Sequence, residues 1–420
     1  MNSRERLAAT LNHQEPDRVC VDFGATPVTG MHVSAISRLR REVLGDPSYR
    51  VKVIEPYQML GEIDDELREA LGIDVIGCQP RKTLFATVNT DWKPLTLFDG
   101  TEVLVSGDFN ITIEEKTGDW LIYPEGDTSA PPSGRMPKGG YFFDTIIRQD
   151  PVDDDRLDPA DNLEEFGPLS EEDLAYYRRA AAWLDEHSDC GAVLIIPGTG
   201  FGDIALVPAP FLKRPKGIRD VEEWYISTVI RRDYVYTVFE KQCEIGLKNI
   251  ETLIELLGDR VQVAFVTGTD FGTQRGPFIS CDTYRDLYWP FHKRVNDLIH
   301  SKSNWKTFIH SCGSVFDLIP DFIDAGFDIL NPVQCSAAKM DPQTLKREFG
   351  SHVVFWGGGV DTQKTMAFGT PEEVYREVRE RIDIFAPGGG FVFNSIHNIQ
   401  GNTPTESILA MFRAIRDASK

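Results

Sequence analysis

The stretch KTFIHSCGSVFDLIPDFIDAGFDILNPVQCSAAKMD, residues 306–341, decides the fold. A short apolar run over 307–309 ends in His310-Ser311-Cys312-Gly313. An amphipathic segment from Val315 to Ala325 predicts a helix. A second apolar run over 327–330 ends in Asn331-Pro332-Val333-Gln334-Cys335. The pattern is strand, helix, strand, with polar and metal-competent side chains where each strand finishes. In an α/β barrel those strand ends form the active-site face.

Residues two apart on a strand point to one face, so the imidazole of His310 and the thiol of Cys312 can converge. Both are good zinc ligands. Taken alone, H-x-C also fits a buried cysteine and a hydrogen-bonded histidine beside a glycine turn. A third ligand from another strand end would decide between the two.

Outward from this stretch the same alternation recurs. Strands are expected over 19–23, 73–77, 192–196, 261–266, 353–356 and 390–394, with helices between them. Caps mark several helix starts: Ser170 with Asp173 three residues on, and the Thr-Pro pairs at 370–371 and 403–404. Glycines and polar residues follow the strands rather than precede them. This predicts a (β/α)8 TIM barrel. An open doubly wound sheet is the alternative, but no G-x-G-x-x-G follows the first strand, and GTGFG at 198–202 lacks the third glycine.

Residues 98–145 interrupt the rhythm. Segments 102–106, 110–115 and 120–123 read as a β-meander, and DTSAPPSGRMPKGGYFFD at 127–144 reads as a loop. The acidic stretch at 151–166 reads as a surface linker. The expected organisation is a single barrel domain over 1–420 with a β-meander and loop insertion at about 98–165. That insertion is either an edge elaboration or a lid.

The chain has 420 residues and a net charge of −21, which argues against nucleic acid or an anionic membrane as partner. Seven cysteines at irregular spacing do not form a disulfide framework. The first residues carry charges and no apolar h-region, and no run has the length of a membrane span. The expected location is the cytoplasm.

The strand ends collect Asp22, Asp270, His310, Cys312, Cys335, Asp361 and His397. His397 follows the last strand and is the expected third ligand beside His310 and Cys312. Cys335, after the strand next to that of His310, is the alternative. Three protein ligands with an open position make a catalytic zinc site. Asp270 and Asp22 are the candidate catalytic acids. Phe271, Gln334 and Asp361 stand where substrate would bind, although Asp361 also suits a turn. The other histidines, at 13, 32, 187, 292, 300 and 352, have no visible partners and read as surface or core residues.

At these residues the chain resembles the uroporphyrinogen decarboxylase superfamily, which includes zinc-dependent methyltransferases working with corrinoid proteins. RERLAATLNHQEPDRV (4–19), FIHSCGS (308–314), WGGGVDT (356–362) and NSIHNIQGNTPTES (394–407) carry the resemblance. In those methyltransferases an H-x-C pair and a cysteine after the last strand hold zinc. The pair carries over to His310 and Cys312, whereas the place of the final cysteine, before a Thr-Pro helix start, holds His397. With one thiolate instead of two, a bound zinc would keep a net positive charge and be the better Lewis acid. The resemblance implies zinc, a small methylated substrate such as a methoxylated aromatic (O-demethylation), and a corrinoid (cobalamin) on a partner protein. A homodimer is compatible with it. The alternative within the superfamily is a metal-free decarboxylase. Those enzymes use an arginine-rich N-terminal motif, and Asp22-Phe23-Gly24-Ala25-Thr26-Pro27 has no arginine. A non-catalytic corrinoid- or ligand-binding module is a third reading.

Overall fold

In the computed structural model, which describes residues 1–418, the alternating pattern folds into a ring. Its strands are β1 (Cys20–Val21), β2 (Val75–Cys78), β3 (Gly191–Ile195), β4 (Val263–Thr267), β5 (Lys306–His310), β6 (Ile329–Asn331), β7 (Val354–Trp356) and β8 (Phe391–Phe393). They are hydrogen-bonded in the order β1-β8-β7-β6-β5-β4-β3-β2, all parallel. Helices connect successive strands and pack outside. The ring is an eight-stranded, nearly closed parallel barrel.

The two faces of each strand are both buried, as a covered parallel sheet requires. One set of side chains fills the barrel interior: Val75, Val193, Val263, Phe308, Ile329, Val354, Trp356 and Val392, with Leu7 and Leu11 of the first helix packed against them. The alternate set packs under the helix layer. Two of the capped helix starts form as the sequence predicts. Thr370 Oγ1 and Ser170 Oγ accept the backbone N–H of Glu373 and Asp173, opening helices Pro371–Phe385 and Glu171–Glu186.

β1 and β2 are joined differently from the other neighbours. One backbone bond links them, from Asp74 N–H to Val21 O at 2.8 Å. The Asp74 carboxylate, fully buried, does the rest. It accepts from Arg6 Nη1 (2.7 Å), Arg18 Nη1 and Nη2 (both 2.8 Å), Ser3 Oγ (2.7 Å) and Val21 N–H (2.9 Å). The N-terminal segment is thereby sewn to the seam of the ring.

The region before β3 differs in detail from the sequence reading. Strand Glu102–Val105 does not belong to a meander with its successors; it pairs with Lys93–Thr96 in a separate hairpin. The stretch expected to be a loop supplies two strands, Gly134–Met136 and Asp144–Thr145. With Ile111–Ile113 and Trp120–Ile122 they form a four-stranded antiparallel sheet. The reason is packing: Met136 is buried in the core, and Phe143 is buried against Phe85 and Phe109. A further hairpin, Val53–Glu55 with Leu60–Gly61, was not expected. The helical region after Asp220 forms two helices, Val221–Ile230 and Arg232–Leu257.

The seam carries a stability prediction. Asp74→Ala leaves two arginines facing a buried gap, and breaking a buried pair on one side costs about 3–5 kcal/mol. Chemical denaturation should show a loss of that size, against less than about 1 kcal/mol for exposed Asp282→Ala.

Candidate metal centre

The centre is built from strand ends. Phe308 faces the barrel interior, and the two-residue period of β5 turns His310 inward as well. His310 ends the strand and is 3% exposed. The neighbouring strand β6 ends on Asn331, in register with His310. Asn331 Oδ1 lies 2.5 Å from His310 Nδ1, and Asn331 Nδ2 donates to Trp356 O at 2.8 Å. The amide is thus oriented with its oxygen toward the imidazole. His310 keeps its proton on Nδ1, and Nε2 presents a lone pair to the site.

Cys312 follows one turn position later, with its Sγ 3.4 Å from His310 Nε2. Its N–H donates to Asp270 Oδ1 at 2.6 Å. The turn lies hard against the loop after β4. A Cβ on Gly313 (φ +87°) would meet Gly272 C at 2.4 Å, and one on Gly272 would meet Cys312 O at 2.5 Å. Only two residues without side chains permit this approach. Tyr225 Oη donates to Asp270 O, and Phe271 N–H donates to Ser311 Oγ, which ties the two loops further.

His397 arrives after β8 on a turn held by Ser395 Oγ, which donates to His397 O at 2.6 Å. Its ring stands 5.7 Å from that of His310, at 74°. The ligand atoms of His310, Cys312 and His397 all lie within 4.8 Å of one another. Two ligands on a tetrahedral zinc, one nitrogen and one sulfur, stand about 3.6 Å apart. The 3.4 Å between His310 Nε2 and Cys312 Sγ matches this. The donor set, two nitrogens and one sulfur with an oriented amide behind one imidazole, fits zinc.

Burial lowers His310 and His397 to about 4, so both rings are neutral and available as ligands. Burial, reinforced by the nearby Asp270 charge, holds the Cys312 thiol well above its ordinary range. A divalent cation reverses that balance and holds the thiolate.

The other predicted residues separate. Cys335 stands apart from the cluster, with its Sγ 4.0 Å from Gly358 O and its thiol pushed up to about 12 by burial. The three ligand-competent side chains that cluster are His310, Cys312 and His397, and Cys335 is not in that group. Asp270 lies beside the centre, its Oδ1 3.9 Å from His310 Nε2, and burial raises its pKa. Asp22 is fully buried below the site; it accepts from Trp356 Nε1 (2.9 Å) and Ala25 N–H (3.2 Å), and burial raises it to about 7. It braces the barrel interior rather than facing a ligand. Phe271 is likewise buried, packed edge-on against Tyr284 and Tyr288, and does not contact the cavity. Gln334 accepts Gly313 N–H at 2.7 Å and Asp361 accepts Gln363 N–H at 2.7 Å; both line a smaller cleft behind Cys312 and His397. Of the remaining histidines, His292 is buried against Tyr284, His32 accepts Ser34 N–H, and His187 and His300 pair with Asp65 and Asp328.

His310, His397 and Asp270 line a cavity of about 740 Å³ at the C-terminal ends of the strands. Its walls are largely apolar, with Ile195, Phe265, Leu60, Phe211 and Val28 among them. Tyr57, Gln58 and Glu55 reach it from the N-terminal hairpin, and Phe142 and Thr145 from the antiparallel sheet. The inserted region therefore forms part of the cavity wall. The residues that the sequence reading missed are Asn331, Glu55, Tyr57 and Asp203. Asn331 was legible in principle, as the polar end of the strand adjoining that of His310.

Comparison with known proteins agrees with this architecture. Residues 219–418, a little under half of the chain, match the family described as Uroporphyrinogen decarboxylase (URO-D). A curated relative, the methylated-thiol–coenzyme M methyltransferase of Methanosarcina mazei, is 27% identical over 139 residues, 33% of this chain and 34% of the relative. The match spans about a third of that relative's length. A solved structure, a methyltransferase from Methanosarcina mazei, shares the fold over 99% of both chains, with a TM-score of 0.54 at 14% identity.

The role of Asn331 is testable without any substrate. Asn331→Leu removes the acceptor that holds the His310 tautomer, and loss of such a partner weakens metal binding roughly 10- to 100-fold. Zinc titration against a competing chelator should show that drop, with the fold retained by circular dichroism.

Proposed function

We propose that the protein is a zinc-dependent methyltransferase that moves a methyl group between a small methylated substrate and the cobalt of a corrinoid protein. The observation that carries this reading is the convergence of His310, Cys312 and His397 within 4.8 Å, beside a largely apolar cavity of about 740 Å³. The match to a methylated-thiol methyltransferase supports it.

His310, Cys312 and His397 would hold the zinc. Bound there, zinc supplies Lewis acidity to a methyl-bearing sulfur or oxygen, making it a better leaving group. Asn331 holds the His310 tautomer. Asp270, 3.9 Å from His310 Nε2, can orient substrate or return a proton to the heteroatom once its methyl has left. The apolar walls exclude water from the methyl carbon, as transfer rather than hydrolysis requires. A methylated thiol or a methoxylated aromatic fits the cavity, and the cobalamin comes on a partner.

A metal-free decarboxylase is the other activity of this family's fold. No arginine lines the cavity among the described residues, and its one lysine, Lys82, is half-exposed at the rim, so the arginine cluster that holds substrate carboxylates in such a reaction has no counterpart here.

Freshly purified protein should carry about one zinc per chain. His310→Ala, Cys312→Ser and His397→Ala should each strip the metal and abolish methylation of free cob(I)alamin by a methylated thiol, followed by its absorbance. Cys335→Ser should keep the zinc. His397→Cys should also keep it, while turning over a methyl ether more slowly, because a second thiolate neutralises the metal. Folded wild-type protein unable to take up zinc would defeat the proposal.

A further inference from the structure

The same cavity has an acidic wall with no counter-charge. Glu55, at the end of its hairpin, accepts Tyr57 N–H on Oε1 (2.9 Å) and Gln58 N–H on Oε2 (2.8 Å). Asp203, on the loop after β3, accepts Ala205 N–H on Oδ1 at 2.9 Å. Both line the cavity, and neither has a cationic partner among the described residues. Lys82 also lines it, but at the rim: its side chain is 45% exposed and 3.7 Å from Glu125. The two histidines are neutral, as shown above. The charged lining inside the rim is thus carboxylate alone.

Glu55, Asp203, Asp270 and Tyr57 all line this one cavity. Burial, then the charges of Asp144, Glu55 and Asp203, push the Tyr57 phenol up to about 12, so its hydroxyl senses both carboxylates. Asp203 in turn feels the charge of Asp270, beside the metal centre. Carboxylates thus line the cavity from Asp270, beside the metal centre, to Glu55 on the N-terminal hairpin. Tyr57, Phe142 and Phe265 stand among it, and aromatic faces also favour a cation.

We infer that this cavity selects methylated substrates bearing an ammonium group, with Glu55 and Asp203 binding the ammonium while the methylated heteroatom lies at the metal centre. The inference rests on the methyltransferase reading for the methylated end only. A methylthio- or methoxy-alkylamine has the required chemistry. Its ammonium donates to the free lone pairs of the two carboxylates, and it replaces the missing counter-charge in a site shielded from water, where one charge is felt strongly. Burial raises Glu55 to about 7, and burial with the charge of Asp270 raises Asp203 to about 6; a bound cation favours their ionised forms. An anionic analogue of the same length would meet uncompensated repulsion.

The test is calorimetric binding of 2-(methylthio)ethylamine and 3-(methylthio)propionate to the full chain as purified. The amine should bind at least about tenfold more tightly than the acid. Glu55→Gln and Asp203→Asn should each weaken the amine about tenfold and leave the acid no weaker. Glu55→Asp, which keeps the charge, should recover part of the loss and guards against misfolding in the amide variants. Tetramethylammonium offers no donor atom to a metal, so its binding should persist in chelator-treated protein and fall in the same variants. Loss of methyl transfer with tetramethylammonium binding intact would count against the metal reading alone. Equal binding of amine and acid, or wild-type amine affinity in both amide variants, would overturn the inference.

Discussion

A single buried carboxylate holds the ring together. Asp74 receives two guanidinium groups, a hydroxyl and the backbone of β1, at the one place where the sheet lacks a regular ladder. In energetic terms such a cluster adds little over an apolar replacement, because five polar groups leave water to form it. Its contribution is geometric. Direction and spacing are set at the seam, so β1 and β2 lie side by side and the strands after them keep their tilt. The ends of β5 and β8 then face each other across the mouth of the barrel. His310 and His397 meet because the ring is shut on its opposite side.

Around that meeting the side chains divide the work. Asn331 sets which imidazole nitrogen is free. Gly272 and Gly313 let two loops touch so that Cys312 reaches the same point. Asp270 grips the Cys312 N–H and puts a carboxylate beside His310. None of these groups lies on a long element. They stand at ends and turns, and the barrel supplies the rigidity they lack.

The barrel was legible in the sequence because its strands are continuous apolar runs, each closed by a polar or glycine-rich turn. All eight predicted strands are present, within one or two residues at most ends. The antiparallel part was less legible. Its strands are two to four residues long, and Gly134–Met136 sits in a stretch rich in proline, serine and glycine, where turn signals mask a short ladder. For the site, the spacing of His310 and Cys312 was informative because strand geometry forces them together. The choice between His397 and Cys335 depended on how the ring closes, which no local pattern contains. Asp22 and Phe271 stand at strand ends too, but one supports Trp356 and the other the aromatic cluster; position alone could not distinguish a ligand from a brace. Glu55 and Asp203 were invisible for the opposite reason: they come from a hairpin and a loop, brought to the cavity only by tertiary packing.

The order in which the strands pair has a consequence for how the protein is made. β1 lies among the first residues to be synthesised, yet its ladder partner β8 is nearly the last, with Cys20 opposite Val392. Its other neighbour, β2, is close in sequence, and the Asp74 cluster can assemble early. During synthesis the growing sheet must therefore present an open edge at each end until residue 393 emerges. Contacts of such sequence separation form slowly, and exposed edges are where chains associate wrongly. A ribosome paused before β8 would hold a nascent chain with seven strands and two free edges, and without the His397 that completes the cluster.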